Sequence, residues 1–182
     1  MGFDVVFSVT KKDIKQMIKL DKKAYLGSEL VDLNRCLEWL KKCPEIYTCL
    51  KYNKKIVGYI NFMPVTKNSY DKMKSGKKKD FEFEIDDICH FEAGENYCLF
   101  TSVVIDSKLR FTNAMTFLFL GFKSKLIKLK EKGVIIKNII CDCLTKEGEA
   151  LAKHFNGRLV AKTNTGSKIY EFDNIYENLK IK

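Results

Sequence analysis

Tyr97-Cys98-Leu99-Phe100-Thr101-Ser102-Val103-Val104-Ile105-Asp106 is followed by a short turn, Arg110, and then Met115, Leu118, Phe119, Phe122, Leu126 and Leu129 at helical spacing. The first ten residues are rich in β-branched and aromatic types, which suit a pleated strand. The helical period after Thr112 runs to Gly133, a residue type that ends helices. A strand that turns directly into a helix start aims successive backbone N–H groups, here from about Arg110 to Thr116, at whatever anion lies above them.

The neighbouring segments extend the pattern. Val134–Cys143 reads as a buried strand, Lys146–Phe155 as a short helix with Glu147 and Glu149 in its favourable first turn, and Val160 with Lys168–Phe172 as a closing hairpin turned at Asn164-Thr165-Gly166. Upstream, Phe3–Val9 reads as a strand. Thr10 then caps a helix, with Asp13 placed to reach back and Ile14, Met17, Ile18 and Tyr25 on one stripe. A second helix starts at Asp32, carries Leu33, Cys36, Leu37 and Leu40, and stops before Pro44. Ile46–Tyr52 and Ile56–Met63 form a hairpin about Asn53-Lys54-Lys55. Thr66–Glu95 is irregular: a short helix, a basic run from Lys72 to Lys79, and the alternation Phe81-Glu82-Phe83-Glu84-Ile85-Asp86. The order β-α-α-β-β, a long insertion, then β-α-β-α-β-β predicts one α/β domain over residues 1–182. Its sheet is expected to be mixed, with helices on both faces.

Composition narrows the function classes. Of the 182 residues 31% are charged, which suits a globular chain. The apolar runs fall far short of the roughly 20 residues of a membrane span. Met1–Val9 alternates before Lys11-Lys12, unlike a secretory leader, so the expected location is cytoplasmic, away from membranes. The net charge of +10 comes almost wholly from lysine, with arginine only at 35, 110 and 158. Lysine spread over helices and turns makes a solvated surface, whereas bidentate phosphate and base contacts favour arginine. No specific nucleic-acid partner is therefore expected. The seven cysteines include no Cys-x-x-Cys pair, and the only histidines are His90 and His154. Free buried thiols and no metal site are the expectation.

The segment Ile105-Asp106-Ser107-Lys108-Leu109-Arg110-Phe111-Thr112-Asn113-Ala114-Met115 resembles the acyl-coenzyme A-binding motif of the GNAT N-acetyltransferase superfamily. There a strand ends in Val-Asp-Pro before Arg or Gln and x-x-Gly-x-Gly or Ala. Element order resembles that fold over nearly the whole chain. The resemblance implies a central mixed, mostly antiparallel sheet splayed between two parallel strands, with acetyl-CoA or another acyl-CoA as co-substrate. The backbone of Val103, Val104 and Ile105 would pair with the pantetheine arm, and the amides of Arg110, Phe111, Thr112, Asn113, Ala114, Met115 and Thr116 would meet the pyrophosphate. Asn113 and Met115 stand where the motif has small residues, and Phe111 where it often has glycine. Leu151–Gly157 resembles the family's Leu-Tyr-Glu-Lys-Leu-Gly-Phe, but the tyrosine that often protonates the leaving thiolate falls on Ala152.

Transfer to an amine whose pKa is near 10 needs a base or a water chain. The candidates beside the strand are Glu92, Tyr97 and Asp142. Glu82, Glu84 and Asp86 would share one face if extended and attract a cationic amine, which makes residues 66–95 a candidate acceptor site. The acceptor is then an amine of a small molecule or peptide, handled by a monomer or homodimer. A non-catalytic member of the same fold and a lysine-rich nucleic-acid-binding module are the alternatives these residues leave open.

Overall fold

The computed structural model describes residues 2–25 and 30–179. The strands are β1 (Phe3–Val6), β2 (Tyr47–Tyr52), β3 (Lys55–Val65), β4 (Gly94–Ile105), β5 (Val134–Cys143), β6 (Arg158–Lys162) and β7 (Lys168–Phe172). The helices are α1 (Lys11–Ala24), α2 (Leu33–Lys42), α3 (Lys67–Lys74), α4 (Ala114–Glu131), α5 (Lys146–His154) and α6 (Ile175–Asn178). One seven-stranded sheet runs in the order β1-β2-β3-β4-β5-β7-β6. The β4–β5 pair is parallel and the other pairs are antiparallel, so the mixed, mostly antiparallel sheet expected from the sequence is present.

Each face of the sheet carries its own core. On one, α1 and α2 set Ile14, Met17, Cys36 and Trp39 against Tyr47, Tyr59 and Met63. On the other, Leu118, Phe122, Leu126 and Leu129 of α4 cover Leu50, Phe62 and Cys98. Helix α1 starts as expected: Thr10 accepts from the Asp13 N–H, and Asp13 accepts from the Thr10 N–H at 2.9 Å. The β2–β3 turn holds Asn53 and Lys54 at φ of 50° and 62°, the left-handed pair that matches strand twist in a two-residue hairpin. Gly121 lets α4 approach β1, since a Cβ there would lie 2.4 Å from Val5 Cγ1. Lys125, buried on the same helix, donates to the Tyr47 carbonyl at 2.8 Å, and burial pushes its pKa down to about 7.

Two expectations are corrected. The alternation at 81–86 does not extend into a strand; it folds into 3-10 turns over Asp80–Glu82 and Ile85–Asp87. Three residues per turn put Asp80 and Phe83 on one side, and both are buried. The helix after β4 begins at Ala114 rather than Thr112, because Ser107–Leu109 first forms a 3-10 turn capped by Asp106. Among the described residues no helix is long and apolar enough to cross a membrane.

Candidate active site

The site begins where β4 and β5 part. Their parallel pairing runs from Gly94↔Val134 to Phe100↔Cys141 and stops. At that point β4 contains an extra residue, Thr101, relative to β3: Asn61 pairs with Ser102, and Phe62 with Phe100. Such a bulge bends the strand. Beyond it Ser102–Ile105 follows β3, while Cys141–Cys143 follows β7. An aromatic wedge fills the fork, with Phe100 centred 5.3 Å from Phe122 and 6.4 Å from Phe172.

The parted strands leave backbone groups without a neighbouring strand. The Asp106 N–H donates to the Val57 carbonyl at 2.7 Å, so Asp106 faces β3. Alternate residues of an antiparallel ladder face the same neighbour, which turns Val103 and Ile105 toward the gap. The gap opens into a cavity of about 420 Å³. Its walls include Met115 and Phe119 of α4 and Gly148, Leu151 and Ala152 of α5, with Arg110 at the α4 end. Arg110 lies 4.0 Å from Glu147 and is exposed, so its guanidinium is free to turn to another anion. Cys141 and Cys143 share one side of β5, with sulfurs 3.6 Å apart on the cavity wall.

A second cavity, of about 50 Å³, adjoins the first; Tyr25, Thr101, Ser102, Asp142 and Leu144 line both. Three carboxylates reach the smaller one. Asp21 lies on the buried stripe of α1 and accepts the Tyr59 hydroxyl at 2.5 Å; burial nevertheless raises its pKa to about 6. Asp80 accepts the Phe81 N–H at 2.8 Å, yet burial, and then the nearby Asp142 charge, raise it to about 7. Asp142 has both oxygens buried with no hydrogen-bond partner among the described residues. Its pKa is raised by burial, an effect eased by the Ser167 hydroxyl and Lys79 nearby. Tyr25, at the C-terminus of α1, lies beside the Val103 amide and the Ser102 hydroxyl; burial and the Asp21 and Asp80 charges push its pKa up, so it stays a protonated donor.

The residues named from sequence divide accordingly. Val103, Val104, Ile105, Arg110 and Met115 line the large cavity. Phe111 is fully exposed; Thr112 and Asn113 precede α4, Ala114 and Thr116 lie in its first turn, and none of them lines the cavity. The Ala114 N–H is taken by the Thr112 hydroxyl at 3.2 Å. Asp142 stands at the junction of the two cavities. Glu92 and Tyr97 lie toward the opposite end of β4, where the strands are still paired: Glu92 is exposed, and Tyr97 packs on Tyr70 at 5.0 Å. Glu82, Glu84 and Asp86 are exposed on the 3-10 turns and line neither cavity; Glu84 pairs with Arg35 at 2.8 Å, and Glu82 accepts the Lys79 N–H. The turn geometry that sends them outward sends Asp80 inward. Sequence reasoning missed Tyr25, Asp21 and Asp80 as site residues. For Asp21 a signal existed, since a carboxylate falls on the apolar stripe Ile14, Met17, Ile18, Tyr25.

No family model and no curated protein sequence matches the chain. Solved structures do. The loading GNATL domain of CurA from Lyngbya majuscula is similar at 13% identity, over 97% of this chain and 100% of that one, with a TM-score of 0.68. The GphF GNAT-like decarboxylase in complex with isobutyryl-CoA is similar at 11% identity, over 95% and 99%, with a TM-score of 0.66. The PaiA N-acetyltransferase from Thermoplasma acidophilum in complex with coenzyme A is similar at 9% identity, over 95% and 99%, with a TM-score of 0.58. At such identities the likeness is one of fold.

Proposed function

We propose that this chain, which has the GNAT fold, is an acyl-CoA-dependent N-acyltransferase that passes acetyl from acetyl-CoA to a primary amine by direct attack in a ternary complex. The observation that carries this reading is the meeting of two cavities at the opened end of β4. One is large and mostly apolar, with free strand edge and a helix start; the other is small and acidic. Pantetheine would pair with the Val103 and Ile105 backbone, and the phosphates would lie toward Arg110 and the first turn of α4. The acceptor nitrogen would enter from the small cavity beside Asp142.

The chemistry follows from those positions. An ammonium beside Asp142 forms a buried ion pair, and burial favours the neutral pair reached when the proton passes to the carboxylate. The freed lone pair attacks the acyl carbon, the C–N bond forms, the C–S bond breaks, and the sulfur leaves with the electron pair. The second amine proton leaves with that sulfur or to solvent, so the products are amide, thiol and one proton. Tyr25, protonated and beside the Val103 amide, donates a hydrogen bond to the charge that develops on the carbonyl oxygen or sulfur. Its raised pKa makes full proton transfer to an ordinary thiolate uphill, so hydrogen bonding is its role.

The test is release of free thiol from acetyl-CoA in the presence of a panel of primary amines. Amine-dependent release with intersecting initial-rate lines is expected. Tight acetyl-CoA binding with no turnover of any amine would instead make the chain a binding protein of this fold.

A further inference from the structure

We infer that the acceptor carries, besides the amine that is acylated, a second cationic nitrogen held between Asp21 and Asp80 in the small cavity. The inference rests on the acyl-transfer reading above and concerns the part of the site that reading leaves unused. Asp142 lines both cavities and so stands at the reacting end, whereas Asp21 and Asp80 line only the smaller one. They line the chamber behind that end, Asp80 buried and Asp21 half-buried.

Burying carboxylates is costly unless charge or hydrogen bonds compensate them. Among the described residues no lysine, arginine or histidine lines the small cavity. Lys79 eases Asp142 and sits over the Phe81 ring, and Arg35 donates to the Phe81 carbonyl and pairs with Glu84. Asp21 has its Tyr59 donor and Asp80 its Phe81 amide, which leaves each carboxylate with acceptor sites to spare. Burial raises both pKa values, as it does for carboxyl groups with no cation facing them.

A second, independent observation points to a ligand in the same place. Asn61 Oδ1, Tyr47 Oη and Trp39 Nε1 have no hydrogen-bond partner among the described residues. Asn61 is 4% exposed, Tyr47 and Trp39 each 1%, and all three line the small cavity. Asn61 Oδ1 and Tyr47 Oη are acceptors that an ammonium, with three N–H donors, satisfies. The rings of Trp39, Tyr47 and Tyr59 around it suit a cation further. At about 50 Å³ the cavity takes a nitrogen on a short chain, which favours a small molecule over a peptide.

The experiment compares 1,3-diaminopropane with n-butylamine, which has the same number of heavy atoms but a methyl in place of one nitrogen. Hydrogen bonds to a charged group contribute about 1.5–3 kcal/mol, so kcat/KM for the diamine should exceed that for n-butylamine roughly 10- to 150-fold. Asp80→Asn and Asp21→Asn should each shrink the ratio. The wild-type comparison stands by itself if either variant folds poorly. Ratios within about threefold, or a diamine preference untouched in both folded variants, overturn the inference while leaving acyl transfer in place. Absence of acetyl-CoA binding overturns the acyl-transfer reading and the inference with it.

Discussion

Asp142→Asn should lower kcat/KM for amine acetylation by about 10²–10⁴, the usual contribution of a positioned base. The side chain stands where the two cavities meet, with both oxygens buried and unpartnered. Asparagine keeps the shape and removes only the proton acceptor, so acetyl-CoA affinity should change little. Burial raises the Asp142 pKa, so wild-type activity should climb with pH as this carboxyl loses its proton. The variant should lose that limb of the pH–rate profile. A purely structural Asp142 would give a different result: lower stability, with the limb intact in the activity that remains.

Asp80→Asn should make the protein more stable at pH 8 relative to wild type than it is at pH 5. The folded chain holds the Asp80 proton up to about pH 7. The unfolded chain releases it near pH 4. The stability linked to this group is therefore fully present below about pH 4 and is lost as pH rises through the folded value. Asp21, with its value near 6, adds a smaller slope of the same sign. Between pH 5 and 8, removing the Asp80 carboxylate removes its share of that slope, on the order of 3 kcal/mol at most, or several degrees in Tm for a chain of this size. Urea melts of both proteins at pH 5, 6, 7 and 8 give the comparison. Curves that stay parallel across that range would mean that Asp80 ionises in the folded chain as it does in water.

The sequence made the frame legible because the frame rests on local signals. Thr10 with Asp13, Asp32 before α2, Asn53-Lys54 in the hairpin and Val134–Cys143 as a strand each follow from short-range chemistry, and each is present. The gap between β4 and β5 was reached through the Ile105–Met115 resemblance; no residue pattern reveals the bulge at Thr101 that opens it. Of the carboxylates that line the small cavity, only Asp142 was legible in the sequence. Period-two reasoning put an acidic face on Glu82, Glu84 and Asp86, whereas 3-10 turns expose those three and bury Asp80. Asp21 and Tyr25 come from α1, some sixty to eighty residues before β4 in the chain, and only tertiary packing brings them beside Ser102.

The most direct test of the central claim is the stability of the protein in acetyl-CoA. If acetyl-CoA occupies the gap between β4 and β5 of the folded chain, a concentration 100 times its Kd should stabilise the fold by about 2.7 kcal/mol. Replacing Ala152 with Trp, which would fill the cavity wall where α5 faces that gap, should abolish the gain. An unchanged melting curve at millimolar acetyl-CoA, or a gain of the same size in Ala152→Trp, would contradict the account.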